Sequence, residues 1–434
     1  MNDIILEVNN LSITFESYQT SNQVLFDVSY QLKKNEILGI VGESGSGKSV
    51  SSLAILGLLP KKQAKFNSGE IKYLGNDLLA YSNTDFQSLR GNKIAMIFQE
   101  PMTSLNPSLT CGEQVIEVLE RHLKLSAKEA KLEVLMLFEK VKLPNPEEIY
   151  CKYPHQISGG QKQRVMIAMA IACKPDVLIA DEPTTALDVT VQKEIIALLK
   201  SIQEDTKMSI IFISHDLALV SEISDTIVVM YKGEIIEKGS VSEVFNNPKK
   251  EYTKALINSR PSVNERLKVL PTIQDYLNET ISNTVVSSTE RDEAHRKMYN
   301  KTPLLQVVNV DKEYVTKGFL FTKATKFKAV NNVSFNLYEG ETLGLVGESG
   351  CGKSTLGNAI LQLDKATSGE IFYKGIDVTK ISKSELRLLR KEIQLIFQDP
   401  YSSLNPRTPV GKAIMEPMRV HKLYKNDKER KQKT

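Results

Sequence analysis

Gly42-Glu43-Ser44-Gly45-Ser46-Gly47-Lys48-Ser49 is the stretch that decides the fold of this 434-residue chain. It fits the pattern G-x-x-x-x-G-K-[ST] and lies between an apolar predicted strand, 36–41, and a predicted helix, Val50–Leu58. In this context the glycines let backbone N–H groups converge on phosphates, and the helix N-terminus adds a positive partial charge. Lys48 would neutralise the β- and γ-phosphates, and the Ser49 hydroxyl would bind Mg²⁺. For a lone match, a tight glycine turn with a surface lysine is the alternative. The predicted phosphate-binding residues are Gly42, Ser44, Gly45, Gly47, Lys48 and Ser49.

The same octet pattern occurs a second time, as Gly347-Glu348-Ser349-Gly350-Cys351-Gly352-Lys353-Ser354. Leu38–Ser49 matches 343–354 at an offset of 305 residues, and later matches at Ser68–Ile71 and Ile97–Pro101 recur at offsets of 300 and 299. A period of this length indicates a duplicated domain rather than a solenoid. Because the loop recurs together with its flanking sequence, a chance glycine turn no longer explains it.

The predicted elements of the first copy alternate between strand and helix, which indicates an α/β domain with a largely parallel sheet. The predicted strands are Ile4–Phe15, Val24–Leu32, Glu70–Tyr73, Lys93–Phe98, Val177–Ala180 and Ser209–Ile213, and further helical stretches are predicted at Cys111–Val141 and Val191–Ile202. Between the copies the sequence is polar and weakly periodic, as in a linker. We therefore divide the chain into a complete domain, 1–261, a linker, 262–303, and a second domain, 304–434.

Composition excludes several classes of protein. The formal net charge of +4 is too small to indicate nucleic-acid binding. No apolar run approaches the roughly 18 residues that span a bilayer, and the N-terminus lacks the features of a signal peptide. The four cysteines share no CxxC spacing, so we expect reduced thiols in a cytosolic protein and no metal cluster.

Two short motifs have the residue types of a nucleotide site. Ser158-Gly159-Gly160-Gln161 opens a predicted helix that runs to about Ala172, which places free N–H groups and a hydroxyl at a helix N-terminus. Taken alone, this motif is also explained by a simple N-cap at Ser158. Downstream, a predicted strand ends in Asp181 and Glu182. Asp181 can hold Mg²⁺ through water, and Glu182 can orient or deprotonate an attacking water, with an exposed strand end as the alternative.

Two single residues also follow predicted buried strands. His215, after the strand Ser209–Ile213, can reach a γ-phosphate, although a lone histidine in such a place is more often structural. Gln99, after Lys93–Phe98, can sense both Mg²⁺ and water. The predicted catalytic residues are Glu182, His215 and Gln99, and the predicted metal ligands are Ser49, Gln99, Asp181 and, in the second copy, Ser354.

In this order and spacing, the phosphate loop, Gln99, the Ser-Gly-Gly-Gln motif, the Asp-Glu pair, Ala186-Leu187-Asp188 and His215 resemble the ATP-binding cassette (ABC) ATPases. The resemblance covers 4–259 completely and 304–434 partially. It implies a P-loop NTPase fold with a RecA-like core, an antiparallel β subdomain and a helical subdomain, in duplicate, with ATP and Mg²⁺ as cofactors. It also implies a head-to-tail sandwich, in which the Ser-Gly-Gly-Gln motif of one cassette caps ATP on the phosphate loop of the other.

Further ATP-binding residues follow from the resemblance alone. Phe15 and Tyr314 take the place of the aromatic residue that stacks on adenine, although a strand phenylalanine such as Phe15 is often core. The residues that would cap the nucleotide are Ser158, Gly159, Gly160 and Gln161. In the second copy, the implied ATP-binding residues are Gly347, Gly350, Gly352, Lys353, Ser354, Thr355 and Gln398.

Finer features resemble the oligopeptide/dipeptide/nickel branch of ABC importers, which includes tandem-cassette, glutathione-importer-like members. These features are the loop Gln99–Pro107, Tyr153–Gln156 before the capping motif, and 247–256 after the first cassette. The branch implies a peripheral ATPase on the inner face of the cell membrane. Its partners would be integral membrane permease subunits and an extracytoplasmic solute-binding protein, with no nucleic acid. Since no cysteine lies between Cys173 and Cys351, we expect no iron–sulfur cluster of the kind that many single-cassette members carry.

The second copy departs from the family pattern. At an offset of 299, its capping serine would fall at position 457, past residue 434, so its capping motif, Asp-Glu pair and histidine are missing. We expect either a truncated gene or a fragment. Within one chain, only the loop Gly347–Ser354 can be capped by Ser158–Gln161, whereas two chains can pair their first cassettes. Two other functions stay open: a soluble twin-cassette ATPase that acts on ribosomes or DNA, and an inactive remnant that only binds ATP.

Overall fold

The structure, a computed structural model, describes residues 3–17, 20–99, 104–185, 187–259, 265–278, 280–282, 284–316, 325–348, 350–397 and 403–434. It contains two compact units, Met1–Val286 and Ser287–Thr434. Each unit has its own hydrophobic core. The boundary between the units lies inside the predicted linker, 262–303, where two short helices occur.

The described residues of the first unit form ten strands, eleven α-helices and two short 3₁₀ helices, Leu78–Ala80 and Pro154–Gln156. The strands are β1 Ile4–Glu16, β2 Ser21–Lys33, β3 Ile37–Val41, β4 Ala64–Tyr73, β5 Asn76–Asp77, β6 Ile94–Ile97, β7 Val177–Asp181, β8 Ser209–Ser214, β9 Thr226–Tyr231 and β10 Glu234–Ser240. The helices are α1 Lys48–Ile55, α2 Asn83–Leu89, α3 Cys111–Leu123, α4 Ala127–Lys140, α5 Pro146–Cys151, α6 Gly159–Ile171, α7 Val189–Thr206, α8 Leu217–Ile223, α9 Val241–Asn246, α10 Glu251–Asn258 and α11 Ile273–Leu277.

A six-stranded sheet forms the centre of the first unit, in the order β10-β9-β3-β8-β7-β6. Every neighbouring pair is parallel except β9 and β10, which are antiparallel. Every residue of β3, β7 and β8 is buried, as expected for parallel strands covered on both faces. Ile37 and Val41 point into the core shared with the helices, whereas Leu38 and Ile40 point into the core shared with β1 and β2. The predicted parallel α/β sheet is confirmed.

A second, antiparallel sheet of the first unit has the order β2-β1-β4-β5. Val8 of β1 pairs with Tyr30 on one side and with Ile71 on the other, and the three side chains are buried. The predicted start of β4 at Glu70 is wrong, because β4 already pairs with β1 from Ala64 onward. Gly69 allows this continuation, since its φ is +100° and an added Cβ would lie 2.6 Å from the Asn10 carbonyl oxygen.

Two predicted helices have different limits in the structure. The helix after the phosphate loop begins at Lys48 and ends at Ile55, not at Leu58, because Gly57 adopts the left-handed conformation that ends helices. The predicted stretch Cys111–Val141 forms two helices, α3 and α4, because a capping box at Ser126 starts a new helix. In the part of the chain that the structure describes, no helix combines the length and apolarity needed to cross a membrane.

The second unit contains an antiparallel sheet in the order β12-β11-β13-β14. Its strands are β11 Leu305–Thr316, β12 Thr325–Leu337, β13 Ser368–Tyr373 and β14 Ile376–Asp377. Its helices are α12 Ser288–Tyr299, α13 Lys353–Ile360, α14 Lys383–Leu389, α15 Val410–Val420 and α16 Asp427–Lys433. The sheet repeats the antiparallel sheet of the first unit, since Val307 pairs with Phe335 and Ile371 as Val8 pairs with Tyr30 and Ile71.

The stretch before the second phosphate loop forms no strand. Leu345 and Val346 are 51% and 92% exposed, whereas their first-copy counterparts Ile40 and Val41 are fully buried. In the first unit, β3 lies between β8 and β9, which satisfy its backbone hydrogen bonds on both sides. Among the described residues of the second unit, no parallel neighbour pairs with 342–346. The two copies therefore share the loop and the antiparallel sheet but not the described parallel sheet.

Candidate ATP site

Two glycines of the phosphate loop, Gly47 and Gly45, are favoured for different reasons. Gly47 has a φ of +96°, and an added Cβ would lie 2.5 Å from Leu25 Cδ2, so both conformation and space exclude a side chain. Gly45 has a φ of +80° but faces open space, so only its backbone conformation favours glycine. Gly47 is the N-cap of α1, so the loop leads directly into the N-terminus of a helix. This is the arrangement that binds phosphate through backbone N–H groups.

Lys48 lies in the loop as a buried cation. The residue is only 5% exposed, and its Nζ donates to the carbonyl oxygens of Gly42 and Glu43, each at 2.8 Å. Burial lowers the pKa of Lys48, and the negative charges of Glu182, Asp181 and Glu43 partly offset this shift. The carbonyl bonds hold the ammonium group over the centre of the loop, where it can meet the charge of a phosphate.

Ser49 and Asp181 bring two oxygen donors together beside Lys48. Ser49 Oγ donates to Asp181 Oδ1 at 3.1 Å, which joins the start of α1 to the end of β7. Asp181 is 3% exposed, and burial raises the pKa of its carboxyl. The bond from Ser49 and the charge of Lys48 act in the opposite direction, while Glu182 raises that pKa further. A hydroxyl and a carboxylate are ligands that Mg²⁺ accepts, so the residues present fit this ion.

Three side chains from different loops of the first unit contact the Glu182 carboxylate. Its Oε2 accepts from Gln99 Nε2 at 3.1 Å and from Thr185 Oγ1 at 2.8 Å, and it lies 3.2 Å from His215 Nδ1. The Glu182 side chain is 12% exposed and that of His215 is 62% exposed, so the cluster opens to solvent on the histidine side. A carboxylate held in this way can accept a proton from water or hold water in place.

The capping motif lies at the N-terminus of α6. Ser158 Oγ accepts from the Gln161 N–H at 3.3 Å, and Gln161 Oε1 accepts from the Ser158 N–H at 3.0 Å, which forms a capping box. The N-cap interpretation is therefore correct as local structure, and a role toward nucleotide is a separate question. Arg164, one turn further on, donates to the Val141 carbonyl oxygen at 2.8 Å and to Glu194 Oε2 at 2.6 Å. These bonds fix α6 against α4 and α7 while Ser158 and Gly159 are exposed.

The second phosphate loop repeats the lysine geometry of the first. Lys353 Nζ donates to the carbonyl oxygens of Gly347, at 2.5 Å, and Glu348, at 2.7 Å. Gly350 and Gly352 have φ values of +81° and +96°, close to those of Gly45 and Gly47. Ser354 is exposed and Thr355 is half-buried, both in the first turn of α13.

Phe15, Tyr314 and Gln398 are the remaining predicted residues. Phe15 is half-buried at the end of β1 and packs partly on the core of the first unit. Tyr314 is 43% exposed on β11, and its hydroxyl donates to Asp364 Oδ2 at 2.6 Å. Gln398 lies outside the described residues, so its predicted position has no structural counterpart.

The structure thus brings Lys48, Ser49, Gln99, Asp181, Glu182 and His215 to the carboxyl-end edge of the parallel sheet, where the loops after β3, β6, β7 and β8 meet. Sequence reasoning missed Thr185, whose only signal is a hydroxyl residue three positions after Glu182. It also missed Tyr252, whose hydroxyl accepts from the Glu43 N–H at 3.2 Å from 209 positions away, and no local pattern indicates such a contact.

Three comparisons with known proteins show what this chain is similar to. A family model described as ABC transporter matches residues 25–185 and 330–433. The glutathione import ATP-binding protein GsiA of Salmonella choleraesuis (strain SC-B67) is 43% identical over 430 residues, which cover 98% of this chain and 68% of that protein. The protein of the same name from Shigella dysenteriae serotype 1 is 42% identical over 425 residues, with 96% and 68% covered. A solved dimeric ATP-binding cassette with ADP and Pi shares 28% identity over 55% of this chain and 99% of that chain, with a TM-score of 0.49.

The family model covers both phosphate loops, and its first match also contains Gln99, Ser158, Asp181 and Glu182. The sequence similarity to the glutathione import proteins extends over nearly the whole chain, through both copies. This chain therefore belongs to the ABC transporter family, and like other ABC ATP-binding proteins it is an ATPase that binds ATP on a P-loop cassette fold.

Proposed function

We propose that this chain is the ATP-hydrolysing subunit that energises a membrane importer of peptides or similar small solutes. The observation that carries the proposal is the convergence of Gln99, Thr185 and His215 on the Glu182 carboxylate, beside Asp181 and the buried Lys48. The glutathione import function named for the relatives supports the solute class, since glutathione is a small peptide.

In the proposed mechanism, the loop Gly42–Ser49 binds the phosphates through its backbone N–H groups and through Lys48. The ammonium group exchanges its bonds to the Gly42 and Glu43 carbonyl oxygens for the β- and γ-phosphate oxygens. Phe15 would stack on adenine. Binding of ATP thus replaces neutral acceptors of the lysine by charged ones, which are stronger partners.

Hydrolysis would depend on Glu182. Its carboxylate orients a water for attack on the γ-phosphate and accepts a proton from that water. The bonds from Gln99 and Thr185 keep the side chain in one orientation. The exposed His215 would contact the γ-phosphate. In this assignment, Glu182, His215 and Gln99 are the catalytic residues.

Ser49, Asp181 and Gln99 are the residues that would hold Mg²⁺, and Ser354 would do so in the second copy. The 3.1 Å contact between Ser49 Oγ and Asp181 Oδ1 supports this assignment, because it places two oxygen ligands side by side. When bound, the ion would neutralise charge on the β- and γ-phosphates. Lys48 and Phe15 would position the ATP whose phosphates carry this charge.

The capping motif would complete the site of another cassette. Ser158 and Gly159 are exposed at the start of α6, a helix whose Arg164 anchors it firmly, so their N–H and hydroxyl groups can meet a γ-phosphate supplied from outside. Within one chain, the partner would be the loop Gly347–Ser354, with Tyr314 and Gln398 as further contacts. Between two chains, the partner would be the loop Gly42–Ser49 of the other chain.

Permease subunits are the proposed membrane partners, and a solute-binding protein would deliver solute to them. An apolar cavity of about 330 Å³ in the first unit supports the proposed contact with permease subunits. Its lining includes Leu58, Met96, Phe98, Met166 and Met169, and Phe98 is 43% exposed directly before Gln99. A helix end from a permease seated there would sense movement of Gln99. The chain would then be peripheral on the cytoplasmic face, and it should sediment with membranes only when the permeases are present, not with protein-free liposomes.

The variant Glu182→Gln tests the proposed function. We expect it to keep ATP binding and to lose turnover by roughly 10²- to 10⁴-fold, because the amide cannot accept the proton. Binding of a fluorescent ATP analogue and release of phosphate measure the two quantities. Glu117→Gln, on the exposed face of α3, is the matched control and should keep both. Turnover within twofold of the unmodified chain in Glu182→Gln would assign the chemistry to another residue.

A further inference from the structure

Tyr252 connects the segment after the core sheet to the phosphate loop. It lies in the first turn of α10, is 4% exposed, and its Oη accepts from the Glu43 N–H at 3.2 Å. The centroid of its ring lies 4.2 Å from the ring centroid of Tyr231, at the end of β9. Burial raises the pKa of Tyr252 to about 12, so the group stays a neutral hydroxyl at physiological pH. Nothing in the proposed mechanism uses this contact.

The contact acts on the same peptide group that holds Lys48. The Glu43 N–H and the Gly42 carbonyl belong to one planar peptide unit, so the direction of one fixes the direction of the other. Tyr252 binds the N–H side of this unit, and Lys48 Nζ donates to its carbonyl side at 2.8 Å. Rotation of the peptide plane would therefore break both bonds together.

The position of Tyr252 is itself fixed from β10. The Glu237 carboxylate accepts from the Lys249 N–H at 2.8 Å and from the Lys250 N–H at 3.2 Å, at the N-terminus of α10. Lys250, the N-cap residue, makes no capping bond with its side chain, so Glu237 supplies the acceptor that this helix end needs. A negative charge at a helix N-terminus is also favourable. Hence β10, α10 and the phosphate loop form one connected series of contacts.

We propose that Tyr252 is a positioning residue for the phosphate loop: it holds the Gly42–Glu43 peptide plane so that Lys48 stays aligned for nucleotide. The segment that follows the core sheet then sets the affinity for ATP without contacting it. This inference rests on the proposed function, because it assumes that Lys48 binds the phosphates.

The variant Tyr252→Phe removes only the hydroxyl and keeps the ring against Tyr231. We expect the Kd and KM for ATP to rise about two- to tenfold, the range for loss of one hydrogen bond, with kcat changed less than twofold. Hydrogen exchange at the Glu43 amide should become faster. Tyr276→Phe is the matched control, since Tyr276 donates to the Asn258 carbonyl oxygen at 2.9 Å on the same segment, and none of the described hydrogen bonds joins it to the loop. It should leave KM and the Glu43 amide unchanged.

Glu237→Gln is a second variant that does not touch Tyr252. It should shift KM in the same direction, and its effect should not add to that of Tyr252→Phe, because both act through one series of contacts. Unchanged KM and unchanged Glu43 exchange in Tyr252→Phe, with ATP binding abolished in Lys48→Ala, would overturn the inference alone. If Lys48→Ala also binds ATP normally, the proposed function fails and the inference with it.

Discussion

At the scale of single residues, Glu182 adopts an unfavourable backbone conformation that its contacts in the site stabilise. Its φ of +46° is in the left-handed region, which costs a residue with a Cβ on the order of 1 kcal/mol. The Glu182 N–H donates to the Ile213 carbonyl oxygen at 2.9 Å, and its carboxylate makes the contacts to Gln99, Thr185 and His215. These contacts hold the sharp turn that directs Glu182 away from the line of β7. Replacing the residue therefore tests both the turn and the chemistry.

The two loop glycines give a stability prediction at this scale. Gly47→Ala should lower the free energy of unfolding by about 2–4 kcal/mol, because strain from a positive φ adds to the overlap with Leu25. Gly45→Ala, the matched control, should cost only about 1 kcal/mol, since its surroundings are open. Urea unfolding, monitored by hydrogen exchange in the first unit, measures both losses of stability. Equal losses in the two variants would show that the contact with Leu25 has no energetic weight.

At the scale of elements, helix starts determine where the site residues lie. Both α4 and α6 begin with a capping box, at Ser126 with Glu129 and at Ser158 with Gln161. The same local device thus serves a helix that supports the core and a helix that presents the proposed capping motif. Local structure alone does not separate the two roles.

The two capping serines give a matched pair of variants. Ser158→Ala and Ser126→Ala should each lower the free energy of unfolding by about 1 kcal/mol, through loss of the N-cap. Only Ser158→Ala should lower ATP turnover, by at least tenfold, because only Ser158 is proposed to contact nucleotide. Thermal unfolding and phosphate release measure the two effects. A Ser126→Ala variant that loses as much turnover would mean that the loss follows stability rather than contact.

Much of the fold could be predicted from the sequence because its strongest signals are local. The apolar runs at β3, β7 and β8 and the glycine pattern of the loop each identify an element from a few neighbouring residues. The convergence on Glu182 could be predicted in part, since parallel strands place their carboxyl ends at one edge. The contacts of Thr185 and Tyr252 could not, because they depend on side-chain directions and on residues distant in sequence. The lack of a strand at Leu343–Val346, before the second loop, could not be predicted either. A strand needs neighbouring strands to pair with, and the local apolar pattern does not indicate whether they are present.

At the scale of the whole molecule, the two copies differ in how much apolar surface they bury. Ile40 and its counterpart Leu345 have the same place in the repeat but are 0% and 51% exposed. Ile40→Ala should cost the first unit about 2–5 kcal/mol, whereas Leu345→Ala should change the second unit by about 0.5 kcal/mol or less. Hydrogen exchange under increasing urea resolves the stability of each unit. A cost above 2 kcal/mol for Leu345→Ala would mean that 342–346 is buried in solution.

At this scale, we propose that ATP is hydrolysed at a site made by the first units of two chains, with Lys48 and Glu182 from one chain and Ser158 from the other. A Lys48→Ala chain and a Ser158→Arg chain should each be inactive alone. In a mixed dimer, one of the two sites keeps both Lys48 and the partner's Ser158.

The most direct measurement is the ATPase rate of an equal mixture of these two variants over a range of protein concentration. We predict recovery to about a quarter of the unmodified rate, because random pairing makes half of the dimers mixed and each has one intact site of two. The unmodified rate per chain should also rise with protein concentration. Two variants that stay inactive on mixing, together with an unmodified rate that does not depend on concentration, would contradict the account.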